Sequence, residues 1–320
     1  MTTKFGERCQ LLLVESDLGG AVAGACAGPA CIQRWFSPTM PVWQRLRTAN
    51  VGMNNTSSVE IDRKSQAKHI STIQPLLTAV HQSVSQFFQL FPQHQLMLLS
   101  GDHSSACAAV AGLKSAFPGS RIGVIWIDAH ADIHTPLSTP SGNLHGMPLG
   151  AMLRPTAPAG SATPLWLQIQ AMCAGALRSE DLVYIGIRDL EAAEWQVLEQ
   201  LNIRHWTAAQ LEQSGAVVVA CNTLLHLAEV DFIYLSFDID ALDASIAMAT
   251  GTPVTAGLTE QQVQTLLQFF LADQRVKLFE VTEFAPALDE QGITAKVLSR
   301  LLTRVLPALP APNQTLTTNG

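Results

Sequence analysis

The protein is a chain of 320 residues, of which 48% are hydrophobic and only 14% are charged. This composition excludes an intrinsically disordered chain, because disordered segments are rich in charge and poor in apolar side chains. The 26 acidic residues outnumber the 19 basic ones and give a formal net charge of −7. Nucleic-acid binders normally have the opposite balance, so we expect no nucleic-acid partner. The small charged fraction indicates that part of the surface is buried between subunits.

The sequence contains no segment suited to membrane insertion. The longest uncharged stretch, 155–177, contains three prolines, which are incompatible with a lipid-facing helix. The apolar run 11–14 ends at Glu15 and is too short for a signal peptide. The six cysteines form no CxxC pair, and we expect them to be reduced and buried. We therefore expect a cytoplasmic protein without a membrane partner.

Short apolar runs alternate with longer helix-like stretches along most of the chain. Strands are predicted at 9–14, 95–99, 122–127, 182–187, 232–237 and 277–281. Helices are predicted at 73–90, 105–116, 190–201, 259–272 and 294–306. Several of the strand runs are apolar without alternation, which is typical of strands covered on both faces. The alternation predicts an α/β protein with a doubly wound, mostly parallel sheet.

The sequence shows no internal repeat and no linker that divides two domains. We expect one domain over residues 1–306 and a C-terminal tail over residues 307–320. The tail is polar and contains prolines, which predicts a frayed end or one that lies against a neighbour. The stretch 155–164, rich in proline, alanine and glycine, is predicted to be a surface loop.

Acidic and imidazole side chains follow three of the predicted strands. SGDHS (100–104), DAHAD (128–132) and DID (238–240) each come directly after a strand. Ligands of doubly wound sheets collect at the carboxyl ends of the strands, so these side chains are expected in one cleft. Clustered carboxylates stay ionised together only if cations neutralise them. The predicted metal ligands are His103, Asp128, His130, Asp132, Asp238 and Asp240.

The ligand types indicate which metal the cleft binds. If the strand stays extended past residue 127, Asp128, His130 and Asp132 lie on one face, and Asp238 and Asp240 repeat this spacing. An oxygen-rich set without thiolates suits Mn²⁺ better than structural zinc, although Co, Fe or Zn can occupy such a site. Two Mn²⁺ bridged by shared carboxylates lower the pKa of a bridging water and yield hydroxide near neutral pH.

The motifs resemble those of the ureohydrolase family, which includes arginase, agmatinase and related amidinohydrolases. The matching segments are SGDHS (100–104), WIDAHADIHTP (126–136), SGNLHGMP (141–148), SFDIDALDASIAMATGTPVTAGLT (236–259), EVTEFAP (280–286) and GxxxGxxxGP (20–29). The resemblance extends from about residue 11 to residue 306, and TPLSTP before SGNLHGMP is most similar to arginase. It implies an arginase-like, three-layer α/β/α fold, with residues 1–306 as a single ureohydrolase catalytic domain.

The resemblance also implies a mechanism. One ion takes His103, Asp128, Asp132 and Asp238, and the other takes Asp128, His130, Asp238 and Asp240. A hydroxide bridging the ions attacks the guanidinium carbon, and the tetrahedral intermediate collapses to urea and an amine. His145 matches the family's proton-shuttling histidine, and Glu283 matches the glutamate that pairs with the guanidinium. Asp128, as a bridging ligand, completes the implied catalytic set.

The remaining implied positions bind the substrate. Thr252 lies where the family places a hydroxyl near the metals, and Ser141 and Asn143 match positions that hold the amino-acid end of arginine. Each assignment taken alone has a structural alternative. His145 is also compatible with a loop histidine, Glu283 with a surface carboxylate, and Ser141 to Asn143 with a simple turn.

Departures from the arginase pattern lie at the outer end of the substrate. His134 stands where arginases usually have Asn, and Glu191 where they usually have Asp, with Glu194 behind it. The usual EVNP reads EFAP, with Phe284 beside Glu283. None of these changes removes a metal ligand, but they alter the region that recognises the α-carboxylate and α-ammonium groups. Such hydrogen-bonding sites discriminate strongly between substrates.

Three functions are compatible with these observations. The first is an arginase that hydrolyses L-arginine to L-ornithine and urea. The second is a sibling ureohydrolase acting on agmatine, guanidinobutyrate, a modified arginine or formiminoglutamate. The third is an inactive homologue in which the metals only stabilise the fold. In each case we expect a homo-oligomer, a trimer or hexamer by resemblance, and a small guanidino or amidino molecule as the partner of either enzyme.

Overall fold

A computed structural model describes residues 8–35, 40–48, 67–154 and 163–306. The strands are β1 Cys9–Glu15, β2 Val42–Arg47, β3 Gln95–Ser100, β4 Ile122–Ile127, β5 Leu182–Ile187, β6 Arg204–Thr207, β7 Phe232–Asp238 and β8 Val276–Thr282. The helices are α1 Gly28–Gln33, α2 Ile70–Leu90, α3 Ala106–Ala116, α4 Pro148–Leu153, α5 Pro164–Cys173, α6 Ala192–Gln200, α7 Ala208–Ser214, α8 Ala216–His226, α9 Glu260–Leu271 and α10 Ile293–Val305. Most of the predicted loop 155–164 and the tail 307–320 lie outside the described residues.

The eight strands form one sheet in the order β2-β1-β3-β8-β7-β4-β5-β6. Every strand pair in the described part of the chain is parallel. This confirms the predicted α/β fold with a doubly wound sheet. Strand β8, the last of the sheet along the chain, lies between β3 and β7. Since all the strands point the same way, their carboxyl ends meet at one edge of the sheet.

Helices cover both faces of the sheet, so the protein has two hydrophobic cores. Leu99 of β3 belongs to the core that contains Leu301 of α10. The preceding residue, Leu98, belongs to the other core, which contains Val80 of α2. Successive side chains of a strand point to opposite faces, and here both faces are buried. This explains why the strand sequences are uninterrupted apolar runs.

All six predicted strands are present, with ends shifted by one residue at most. The short edge strands β2 and β6 were not predicted, because their sequences VWQRLR and RHWT are half-exposed and rich in polar residues. The predicted helix 190–201 is shorter than expected, because Glu191 and Glu194 form a capping box that begins α6 at Ala192. Among the described helices, none is both long enough and apolar enough to span a membrane.

The cysteines are only partly as expected. All six are free, and Cys9, Cys107 and Cys173 are buried. Cys221 is exposed, and Cys26 and Cys31 are partly exposed, so the expectation that all six are buried is wrong. Cys221 lies on α8, whose solvent-facing side also exposes Val217, Val218 and Leu225.

Candidate functional site

The middle of the sheet brings the predicted ligands to one edge. The order β3-β8-β7-β4 places four carboxyl strand ends side by side. His103 follows β3, Asp128 follows β4 directly, and Asp238 is the last residue of β7. The parallel register therefore joins residues that are far apart in the sequence.

One group of side chains surrounds the imidazole of His103. Its Nδ1 atom lies 3.3 Å from Asp128 Oδ2 and 3.2 Å from Asp132 Oδ2. The same atom lies 3.3 Å from Asp238 Oδ2. All four residues are buried. One nitrogen and three carboxylate oxygens thus converge on a single point.

The tautomer of His103 follows from its other nitrogen. Ser236 Oγ donates to Glu280 Oε2 at 3.3 Å and lies 2.7 Å from His103 Nε2, so Nε2–H donates to this hydroxyl. The remaining nitrogen, Nδ1, has no hydrogen-bond partner among the described residues. A lone pair that faces three carboxylate oxygens is unfavourable unless a metal cation or a proton lies between them, and these carboxylates raise the pKa of His103 well above its ordinary value despite its burial. The donor set therefore fits a metal ion, with Ser236 orienting the ligand.

A second group surrounds His130 and shares Asp128 with the first. His130 Nδ1 lies 3.1 Å from Asp240 Oδ2 and 3.5 Å from Asp128 Oδ1. The two oxygens of Asp128 therefore face different imidazoles, Oδ2 towards His103 and Oδ1 towards His130. Thr252 Oγ1 donates to Asp240 Oδ2 at 3.0 Å. Each group alone has the composition of a cation site, and the shared carboxylate links them.

The pKa shifts reveal how strongly this cluster attracts positive charge. Burial raises the pKa of Asp238 and Asp240, and neighbouring carboxylates raise them further. Burial and the charge of Asp128 raise the pKa of Asp132 to about 6. Burial lowers the pKa of His130, but the charge of Asp240 and hydrogen bonds to carboxylates outweigh it and raise the pKa far above its ordinary value. These carboxylates ionise together only with positive charge among them.

The chain around the ligands is not extended, so the condition under which Asp128, His130 and Asp132 would share one face of a strand is not met. β4 ends at Ile127, and the backbone N–H of His130 donates to Asp128 Oδ1 at 2.7 Å, which forms a turn. Asp132 has a φ of 49°, in the left-handed region. Asp238 Oδ1 likewise accepts from the N–H of Asp240 at 2.8 Å. The side chains converge because the backbone turns after Asp128 and after Asp238, where the carboxylate of each accepts from the N–H two residues later.

His145 and Glu283 lie beside the first group. Glu283 Oε1 is 3.0 Å from His145 Nδ1 and accepts from the backbone N–H of His103 at 2.9 Å. Glu283 has a φ of 67°, a left-handed conformation that is rare for a side chain of its size. Burial lowers the pKa of His145, but the charge and hydrogen bond of Glu283 outweigh it and raise the pKa to about 9. The two side chains form an ion pair next to His103.

Two of the residues that depart from the arginase pattern, His134 and Glu191, form a third group with Glu194. His134 Nε2 lies 3.1 Å from Glu191 Oε2 and 3.7 Å from Glu194 Oε2. Its Nδ1 lies 3.2 Å from the hydroxyl of Ser138. Burial and a hydrogen bond with Glu191 raise the pKa of Glu194 to about 9, and the same bond lowers the pKa of Glu191 to about 2. The closeness of the two carboxyl groups therefore disfavours the state in which both are ionised.

Ser141 and Asn143 contact each other rather than any of these groups. Ser141 is exposed, and its hydroxyl accepts from the backbone N–H of Asn143 at 3.2 Å. Thr139 Oγ1 lies 3.4 Å from the same hydroxyl and accepts from the N–H of Gly142 at 3.0 Å. These are the contacts of a polar turn.

Several residues that build the site were not predicted. Ser236 and the fully buried Glu280 support His103 from strands β7 and β8, and Trp126 stacks on its ring at a centroid distance of 4.1 Å. Arg188 binds the backbone of the segment that carries Asp240. The available signal was a polar residue inside an apolar strand, because such a residue must find a partner when both faces are buried.

Comparison with known proteins agrees with this geometry. The family model described as "Arginase family" matches residues 7–307. The arginase of Bacillus caldovelox is 30% identical over 300 residues, which are 90% of this chain and 94% of that protein. The native structure of a B. caldovelox arginase, 28% identical, has a TM-score of 0.78 and covers 95% of this chain and 98% of its own.

A second solved structure extends the comparison. An Entamoeba histolytica arginase in complex with L-ornithine has a TM-score of 0.80 at 23% identity and covers 95% of this chain and 99% of its own. At that identity the likeness concerns the fold. The family match, in contrast, extends over nearly the whole sequence. The chain therefore belongs to the arginase family, whose members are hydrolases that act on C–N bonds in linear amidines.

Proposed function

We propose that the protein is a binuclear manganese amidinohydrolase that converts L-arginine to L-ornithine and urea. The observation that carries this proposal is the convergence of two imidazole–carboxylate groups that share Asp128. The oxygen-rich donor set suits Mn²⁺, with Co, Fe or Zn as alternatives. The proposed ligands are His103, Asp128, Asp132 and Asp238 for one ion, and His130, Asp128, Asp238 and Asp240 for the other.

The protein's own residues have distinct roles in this proposal. Two bound divalent ions supply hydroxide near neutral pH. Glu283 accepts hydrogen bonds from the substrate guanidinium, and its orientation is set by the two donors on Oε1, His103 N–H and His145 Nδ1. His145, with its pKa at about 9, holds a proton at neutral pH and transfers it to the departing amine. Thr252 fixes the orientation of Asp240.

We assign recognition of the outer end of the substrate to five residues. The α-ammonium group is placed against Glu191 and Glu194, and the α-carboxylate against His134, Ser141 and Asn143. One contact favours a second candidate, a sibling enzyme for agmatine or another guanidino or amidino compound. The carboxylate of Glu191 is already paired with His134 at 3.1 Å, so it is less available to an α-ammonium group.

The test is urea release by Mn²⁺-loaded protein, with L-arginine and agmatine assayed side by side. Urea from arginine alone supports the arginase proposal, and urea from agmatine alone favours the sibling enzyme. The variant Glu283→Gln is the matched control, because it keeps the size of the side chain and removes the charge that meets the guanidinium. Metal binding without product from arginine, agmatine, guanidinobutyrate or formiminoglutamate would indicate an inactive homologue.

The proposal also covers the domain bounds, the cellular location and the oligomeric state. We place the catalytic domain at residues 1–306, in the cytoplasm, as a homo-oligomer that is a trimer or hexamer. The charged fraction of only 14% supports burial of surface between subunits. Light scattering on the purified full chain measures the oligomeric state directly.

A further inference from the structure

Arg188 lies one residue beyond β5, at the edge of the sheet that carries the candidate site. Among the described residues, its guanidinium hydrogen-bonds only to main-chain carbonyl oxygens. Nη2 donates to Asp240 O at 2.8 Å, Leu242 O at 3.2 Å and Val254 O at 2.9 Å. Nη1 donates to carbonyls of residues 186 and 241, and Nε to that of residue 255. All five N–H donors of the guanidinium are engaged in this way.

Five of these six carbonyls, all except that of residue 186, belong to two segments that meet at the second imidazole group. The first segment, 240–242, contains Asp240, whose carboxylate faces His130 at 3.1 Å. The second, 254–255, follows Thr252, which donates to the same carboxylate. One guanidinium therefore holds both the backbone of Asp240 and the chain that carries its side-chain partner.

The close approach of Arg188 depends on a glycine. A Cβ atom on Gly257 would lie 2.6 Å from Arg188 Nη2 and 2.5 Å from the backbone nitrogen of Asp243. Real Cβ atoms essentially never approach other atoms so closely, so any larger residue at position 257 displaces the guanidinium or the 240–243 backbone. Because Gly257 has no side chain, the Arg188 guanidinium has room to bind both backbone segments.

We propose that Arg188 is a positioning residue that fixes Asp240 and Thr252 for the ion on the His130 side. The inference rests on the proposed binuclear function. Metal ligands must be held within about 0.5 Å of their working geometry, and groups outside the ligand shell provide that constraint. The planar, five-donor shape of the guanidinium is essential, because the ammonium group of lysine donates from one point and does not span both segments.

The experiment measures Mn²⁺ stoichiometry and affinity by calorimetric titration of the full-length protein. The variants are Arg188→Met, Arg188→Lys and Gly257→Ala. The control is Arg178→Met, at the opposite end of β5, which removes an arginine whose side chain is 65% exposed. Far-UV circular dichroism of each metal-free sample gives the folded fraction.

We expect two ions per wild-type chain and per Arg178→Met chain. Each of the three test variants should bind one ion normally and the second at least about tenfold more weakly, which is the usual cost of losing support for a ligand. The lysine variant keeps the positive charge at position 188 but lacks the planar array of donors, so it separates the effect of geometry from that of charge. The Gly257→Ala variant disturbs the same guanidinium–backbone contacts with Arg188 still present.

Other outcomes overturn the inference in distinguishable ways. If the wild type binds fewer than two ions, the binuclear proposal and the role of Arg188 both fail. If the wild type binds two ions and the test variants bind them equally well, only the role of Arg188 fails. The same holds if both ions are weakened equally, or only in proportion to the folded fraction, because Arg188 would then be merely structural.

Discussion

His134 Nε2 and Glu191 Oε2 lie 3.1 Å apart, so two of the residues that depart from the arginase pattern contact each other. The pattern has Asn and Asp at these positions, and here both side chains are longer. The two changes are therefore physically coupled, because the carboxylate of Glu191 reaches the imidazole that replaces the amide. At the outer end of the candidate site, the changes at positions 134 and 191 therefore form one connected difference from the family pattern.

This coupling predicts the behaviour of the double variant His134→Asn/Glu191→Asp. Each single change leaves the partner without its contact, whereas the double change restores the residues usual in arginases. We expect the ratio of kcat/KM for arginine to that for agmatine to rise more in the double variant than the two single changes predict together. Residues in contact typically show coupling energies of about 0.5–3 kcal/mol. Strictly additive effects in the steady-state kinetics would contradict the coupling.

Asp128 is one of the two proposed ligands, with Asp238, whose loss is predicted to affect both ions. Its two oxygens face His103 and His130 separately. We expect Asp128→Asn to bind fewer than two Mn²⁺ and to lose at least about a hundredfold in kcat, since positioning of catalytic groups is lost with the ligand. Asp231→Asn, an exposed aspartate before β7, serves as the control. Elemental analysis and the urea assay on the same samples measure both effects, and full activity in Asp128→Asn would exclude a bridging role.

The His145–Glu283 pair predicts a pH-dependent contribution to stability. The pKa of His145 rises from its ordinary value of 6.5 to about 9 on folding. Because the folded-state value is higher, this contribution is fully present below pH 6.5 and is lost as the pH rises through about 9. We expect a loss on the order of 1–3 kcal/mol in the metal-free protein.

The measurement is urea unfolding of the metal-free wild type and of His145→Asn between pH 6 and 10 at intervals of roughly one unit. Other buried groups titrate in both proteins, so the difference between the two curves isolates His145. That difference should shrink as the pH rises. A difference that stays constant would show that the ion pair does not form in solution.

Metal removal is predicted to destabilise the fold. Four buried carboxylates, Asp128, Asp132, Asp238 and Asp240, lie together and repel one another when ionised. A ligand that binds only the folded state at about 100 times its Kd adds about 2.7 kcal/mol of stability per site. We expect the melting temperature to rise with Mn²⁺ concentration and to fall when a chelator is added. Mg²⁺ at equal concentrations controls for ionic strength, and a melting temperature insensitive to Mn²⁺ would contradict a metal site in the folded protein.

Much of the fold was predictable, because the central strands are apolar runs that only burial on both faces explains. The convergence of the six candidate ligands was also predictable, since they lie at or just after the ends of those strands. The turn at Asp132 was not, because its positive φ is imposed by the surrounding structure and not by the residue type. The role of Arg188 was hidden for another reason, as its partners are backbone carbonyls up to 67 residues away, which leave no side-chain motif.

The hydrogen-bond partners of Glu280 could not be predicted from the sequence either. Its carboxylate accepts hydrogen bonds from Ser100 at 2.6 Å and from Tyr234, on the two strands that flank β8. Nothing in the segment 277–281 predicts these partners, because the neighbours of a parallel strand depend on the order of strands in the sheet. That order follows from the packing of the whole chain.

The position of β8 has a consequence for how the protein is made. The ribosome synthesises β3 and β7 before β8, yet β8 separates them in the finished sheet. Until residue 282 has emerged, the nascent chain lacks the middle of its sheet and exposes two unpaired strand edges, which makes such topologies slow to fold and prone to aggregation. Glu283, directly after β8, is the last site residue to be translated. The nascent protein therefore acquires a complete cleft only after β8 and Glu283 have emerged.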